Sequence, residues 1–185
     1  MAVIPFSESE AAKKIANFKL PRYCELTNFP IVMRQLVAIL DEYMSVFPVP
    51  GEEKLITQTM INSYVRNRMI KAPVNKEYNR EHIMYLIAIG ILKQVLSISD
   101  VMKILEMQNE QYPYEVAYEF FCIEVEDALK VTFDTRSFAN FNHQPTVITP
   151  LTEVVRSAVL AFANRIYVKQ SIWYLENQKK SKKKN

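Results

Sequence analysis

Glycine is nearly missing from this chain, with two in 185 residues against a usual share of about 7%. Turns that need positive φ, and backbone that must approach a phosphate closely, therefore have little supply. Gly51 and Gly90 alone can build neither a dinucleotide fingerprint nor a P-loop, so glycine-rich nucleotide sites are excluded. Cysteine is equally sparse. Cys24 and Cys122 stand in no metal-ligand spacing and read as reduced core residues of a cytosolic protein, with no disulfide. The chain has two histidines, and neither is near the acids Glu124, Glu126 and Asp127 in sequence. No metal pattern emerges and no cofactor is expected. The opening "MAVIPFSESE" lacks the basic region and apolar run of a secretory signal. The uncharged, strongly apolar stretch Ile83 to Leu92 has ten residues, too short to span a bilayer. A cytoplasmic protein with no membrane partner is expected.

What is present is unevenly placed. The net charge is +3, but the tail "KKSKKKN" holds five lysines (Lys179, Lys180, Lys182, Lys183 and Lys184), which leaves −2 for residues 1–178. Such a tail reads as a solvated end. Between Lys54 and His82, six basic residues (Lys54, Arg66, Arg68, Lys71, Lys76, Arg80) face two acids (Glu77, Glu81). A basic segment within a slightly acidic body is the footprint that phosphate binding needs.

Apolar spacing makes nearly everything helical and strand signals weak. Short amphiphilic residues Glu8 to Asn17 precede an extended "LPRYCELTNFP". Val32, Leu36, Ile39, Leu40, Tyr43 and Phe47 then predict a long helix from about Ile31 to Phe47, ended by "PVPGEE". Thr57 is a suitable N-cap for a helix to about Asn67, with Met60, Ile61, Tyr64 and Val65 inward. Its other face carries Thr59, Asn62, Ser63 and Arg66, with Gln58 at the rim. These side chains can read base edges, since asparagine matches adenine and arginine matches guanine; the alternative is an ordinary solvated face. "KAPVNKEYN" suits a turn or a two-stranded wing. Asn79 caps a core helix to about Leu96, in which Gly90 implies the close approach of another helix. Ser97 and Asp100 have capping-box spacing for the next helix, and His82 reads as a surface or cap residue. Pro113 starts a further helix. After "DTRSFANFNHQPTVI", Thr149 and Pro150 open a last helix to about Gln178, about 40 Å long, which suits a dimer contact.

The second half is rich in aromatics. Tyr114, Tyr118, Phe121, Phe138 and Phe141, with His143, suit either an effector pocket for an unnamed small molecule or ordinary core and dimer packing. Cys122 and His143 could form a nucleophile and base, but the apolar "FFCIE" raises a thiol's pKa and makes it inert. An enzyme is not expected.

The order of Thr57, "TMINSYVRNRMI", a proline-containing connection, "YNREHIMYLIAIGIL" and "LSISDVMKIL" resembles the MerR-type winged helix-turn-helix. The segments "LPRYCEL", "MINSYV" and "YNREHIMYLIAIGILKQVLSISDV" are more closely similar to the YkrK-like group, uncharacterised bacterial proteins regarded as transcriptional regulators. The closer resemblance covers about Leu20 to Tyr118, the MerR-like one about Leu55 to Glu106. It departs from the MerR pattern at Asn62, where an arginine is usual, at Arg68, where a glycine is usual, and at Glu77 in the wing. What the resemblance implies is an all-α helical bundle with a MerR-like winged helix-turn-helix and long C-terminal helices. The winged module and its scaffold helix would occupy 1–110, a helical dimerisation and effector region 111–178, and a basic disordered tail 179–185. The expected function is a homodimeric, sequence-specific regulator of double-stranded DNA. Gln58, Thr59, Asn62, Ser63 and Arg66 would enter the major groove, while Lys71, Lys76 and Arg80 meet phosphate. The alternative is a protein-interaction module whose winged helix no longer binds DNA.

Overall fold

The computed structural model describes residues 5–134 and 149–182. Among these, seven α-helices and two two-residue strands are present. The helices are α1 (Glu10–Ala16), α2 (Met33–Tyr43), α3 (Gln58–Arg66), α4 (Arg80–Leu92), α5 (Ile98–Gln111), α6 (Tyr114–Phe133) and α7 (Pro150–Lys182). The strands β1 (Ile31–Val32) and β2 (Glu77–Tyr78) pair antiparallel, Ile31 opposite Tyr78 and Val32 opposite Glu77.

Local side-chain chemistry sets the helix starts. Ser9, Thr57, Asn79 and Ser97 each accept a hydrogen bond from the backbone N–H three residues on, at 3.1–3.3 Å. This satisfies a donor that the first helical turn leaves without a partner. Thr149 and Thr152 bond each other's backbone reciprocally at the start of α7.

α4 is the central post. Ten of its thirteen residues are buried, so it is apolar all round rather than striped, as a helix covered on every side must be. It packs against α2, α5, α6 and α7. α6 and α7 lie side by side, joined by Glu124–Arg156 near the middle of α6 and by Phe133–Tyr167 at its end. Both pairs advance together in number, so the two helices run in the same sense. The buried core is continuous from Phe6 to Ile166 and crosses residue 110 without interruption.

An N-terminal arm is tied down on α6. Glu126, buried, accepts from Lys19 Nζ (2.6 Å), the Leu20 N–H (3.1 Å) and Arg22 Nη2 (2.9 Å). Tyr118 donates to the Pro21 carbonyl at 3.0 Å, and the Tyr23 N–H donates to Glu119 at 2.8 Å.

Several expectations need correction. The helix expected over Ile31 to Phe47 is shorter at both ends, because Ile31 and Val32 are drawn into the strand pair and Phe47 leaves the helix to pack edge-on between Phe18 and Phe162. α4 stops at Leu92, with the Leu96 N–H closing back on the Leu92 carbonyl. Gly90 is approached closely, though by the Ile56 and Met44 side chains of the α2–α3 connection and not by a helix. Cys24 is exposed, and only Cys122 is a core residue.

Candidate nucleic-acid interface

α3 separates its residues by face. Ile61 and Tyr64 are buried, with Met60 and Val65 packed beside them. Gln58, Thr59, Asn62 and Arg66 are exposed, and Ser63 is half-buried. Neither Asn62 nor Arg66 is covered by another helix. Among the described residues neither Arg66 nor the exposed Arg34 has an ion-pair partner.

The exit of α3 is conformationally unusual. Arg68 has φ +57°. Its N–H donates to the Val65 carbonyl at 3.0 Å, and the Met69 N–H donates to Tyr64 at 2.8 Å. This is the double bond pattern of a Schellman ending, which normally places glycine at the left-handed position. An arginine tolerates it at a backbone cost of about 1 kcal/mol, and the residue is exposed, as Arg66 is. Sequence reasoning left Arg68 out of the candidate contacts. Its position one residue past an asparagine C-cap was the available signal.

The connection to α4 is a tight hairpin. Val74 bridges Glu77, with Asn75 and Lys76 at φ +51° and +65° between them. Two successive left-handed residues make a turn of the primed type, whose twist suits paired strands. Lys76 thus stands exposed at the hairpin tip. The other two expected phosphate contacts already have partners within the chain, Lys71 at the surface and Arg80 half-buried. Lys71 pairs with Glu81 at 2.7 Å, a bond that holds its ammonium pKa above the ordinary value. Arg80 is half-buried. Its Nε donates to the Leu26 carbonyl at 3.0 Å, and its guanidinium lies 5.0 Å from the centre of the Tyr23 ring. The hairpin is also locked from below. His82 Nε2 donates to the Lys71 carbonyl at 3.2 Å, and His82 Nδ1 accepts from the Asn79 N–H at 3.1 Å. His82 is a cap residue, as expected, but a buried one.

The aromatic candidates divide differently. Tyr114, Tyr118 and Phe121 converge with Met84, Tyr85 and Leu105 on a crevice of about 20 Å³. That is room for one water, against the several hundred Å³ of a small-molecule pocket. Phe138, Phe141 and His143 lie outside the described residues. Burial pushes the Cys122 thiol up to about 12 and leaves it protonated at neutral pH. The acids of α6 have structural partners. Glu124 takes a two-point contact from Arg156 at 2.9 and 3.0 Å, and Glu126 holds the N-terminal arm. No group of three metal-binding side chains occurs among the described residues, and no described helix is long and apolar enough to cross a membrane.

The fold and the exposed α3 face define a mostly helical protein with one cationic, amide-bearing edge. Within that class, the chain belongs to the family described as Domain of unknown function (DUF1836), which matches residues 21–121. The match runs from the arm residue Pro21 to Phe121 within α6, and so takes in α2 to α5 together with the strand pair. No curated protein and no solved structure matches the chain.

Proposed function

We propose that this protein is a sequence-specific DNA-binding regulator of the winged helix-turn-helix kind, MerR-like in the order of its parts and similar to the YkrK-like group. The carrying observation is α3, which buries Ile61 and Tyr64 while Thr59, Asn62 and Arg66 stand exposed. The succession of strand, α2, α3, hairpin, α4 and α5 supports the same reading, because a tight hairpin follows the exposed helix in the chain. In this reading Thr59, Asn62 and Arg66 meet base edges, with Gln58 and Ser63 beside them. Lys76 at the hairpin tip, together with Arg68, meets phosphate. Arg80 holds the start of α4 to Leu26 and Tyr23, and Lys71 is paired with Glu81 at the surface. A homodimer is supported by α7, on which Val154, Val168 and Leu175 are exposed at multiples of seven residues, the spacing of a helix–helix seam. Two copies of α3 about 34 Å apart would read a palindromic site.

Fluorescence anisotropy against selected duplexes tests this. Affinity should fall steeply between about 50 and 200 mM salt, as neutralising about six phosphates requires. Arg66→Ala should relax base preference at one position by about 1–3 kcal/mol. Lys76→Ala should weaken all sequences alike. Wild-type binding by both variants would reject the assigned roles.

A second reading, a protein-interaction module, has its own observation. Phe29 and Val74 are three-quarters exposed, and with Val32 they lie on the strands and turns beside the hairpin. Absence of DNA binding at low salt, together with loss of a protein partner in Phe29→Ser, would select it.

A further inference from the structure

Room for a small molecule exists away from the aromatic crevice. A cleft of about 420 Å³ opens between residues 47–55, Met60 of α3, the end of α4 and the middle of α7. Its walls carry four cations, Lys54, Lys93, Arg165 and Lys169, and two carboxylates, Glu52 and Glu53. Lys169 is paired with Glu52, and Lys54 with Asp41 just outside. The other two cations lack such an answer. Lys93, half-buried, directs its Nζ at the neutral thioether of Met60, 2.9 Å away. Arg165, half-buried, donates through Nη1 to the amide oxygen of Gln94 at 3.0 Å. Among the described residues neither forms an ion pair. Desolvating an ammonium and a guanidinium with no acid in direct contact is costly, and Glu52 reaches Arg165 only through space. Burial accordingly lowers the Lys93 pKa, with Glu53 opposing it through space.

We propose that this cleft binds a small organic anion, a carboxylate or phosphate ester, between Lys93 and Arg165. The planar guanidinium offers a two-point contact to such a group, while the ammonium supplies a compact charge. Four cations face Glu52, Glu53 and, just outside, Asp41, which leaves a net positive charge for an anion to neutralise. Because Met60 belongs to α3, occupancy bears on that helix's position. This last consequence rests on the DNA reading, whereas anion binding does not.

The full chain, without DNA, is titrated with malate, glucose 6-phosphate and inorganic phosphate, with glucose as the uncharged control. Binding is followed by calorimetry and by backbone amide NMR. The expected result is saturation by at least one anion and none by glucose, with shifts gathered at Leu55, Met60, Lys93, Gln94 and Arg165. Lys93→Met should weaken that binding at least about tenfold while keeping or raising Tm, since it replaces a desolvated charge by an apolar chain of similar length. Arg165→Gln should weaken it comparably. Failure of all three anions to saturate, a response to glucose equal to theirs, or unchanged affinity in both variants overturns the site.

Discussion

At the scale of single residues, Gly90 shows how little room the centre of the molecule leaves. A Cβ placed there would sit 3.0 Å from Ile56 Cγ1 and 3.2 Å from Met44 Sδ. Alanine gains about 1 kcal/mol of helix propensity, and a shift of a few tenths of an ångström in those side chains offsets it. Gly90→Ala is therefore expected within about 1 kcal/mol of wild type. Gly90→Val adds branches to a filled space and should destabilise by about 1–3 kcal/mol. Urea unfolding of both variants checks the contrast; a valine variant as stable as wild type would mean that the approach of Ile56 is not tight. His82 carries a pH dependence. Burial lowers its pKa, only partly opposed by the Lys71 carbonyl and Glu81. The folded state thus binds fewer protons than the unfolded one, so stability is lost as pH falls through the ordinary histidine value of about 6.5 and levels off below the depressed folded pKa. Protonating Nδ1 removes the acceptor of the Asn79 N–H; Asn79 Oδ1, 2.6 Å away, can then accept in exchange. The ring charge stays buried either way. Thermal melts between pH 7 and 5 should show a decline that His82→Gln flattens, and parallel curves would remove His82 as its source.

At the scale of elements, the end of α3 sets backbone preference against charge. Arg68 at φ +57° occupies a position where glycine has no Cβ penalty. Arg68→Gly should therefore stabilise the fold by about 0.5–1 kcal/mol. Arg68→Val should destabilise it, because branching at Cβ makes the left-handed region worse. In the DNA reading the glycine variant, though more stable, binds less tightly at low salt. Opposite movements of Tm and affinity would mark a site where function is kept against local stability; a glycine variant with lower Tm would contradict the backbone argument. The starts of α3, α4, α5 and α7 were legible in sequence because a cap is a local signal: a threonine, asparagine or serine oxygen reaches a backbone N–H within one turn. The exposed face of α3 was legible for the same reason, since 100° per residue decides which side chains oppose Ile61 and Tyr64. Helix ends were less legible. Phe47 continues the apolar rhythm of α2, yet its ring serves a different layer, between Phe18 and Phe162, and periodicity records that a residue is buried without saying against what.

At the scale of the whole molecule, contacts between distant segments decide what local pattern cannot. Nothing near Arg80 in sequence announces that its guanidinium belongs to Leu26 and Tyr23, 54 and 57 residues earlier, or that Lys93 and Arg165 share a cleft. The "LPRYCEL" stretch reads as extended, and its purpose appears only with Glu126, more than a hundred residues on. That carboxylate is the anchor of the arm: it is buried and collects one backbone N–H and two cationic side chains. Hydrogen bonds to a charged group are worth about 1.5–3 kcal/mol each. Lys19 is largely exposed and recovers water when Glu126 is removed, and Arg22 keeps Glu119 at 3.8 Å, so the loss should be well below the sum. Glu126→Ala is expected to destabilise by about 2–3 kcal/mol. The discriminating readout is spatial. Hydrogen exchange should rise first at Leu20 and Tyr23, whose N–H groups lose or loosen their acceptors, and then at Arg80 and the hairpin, because Tyr23 carries the Arg80 guanidinium. The amides in the middle of α6 and α7 should keep their protection relative to global unfolding. A variant in which exchange rises evenly everywhere would show the arm to be part of one cooperative core, rather than a separately anchored strap that links α6 to the start of α4.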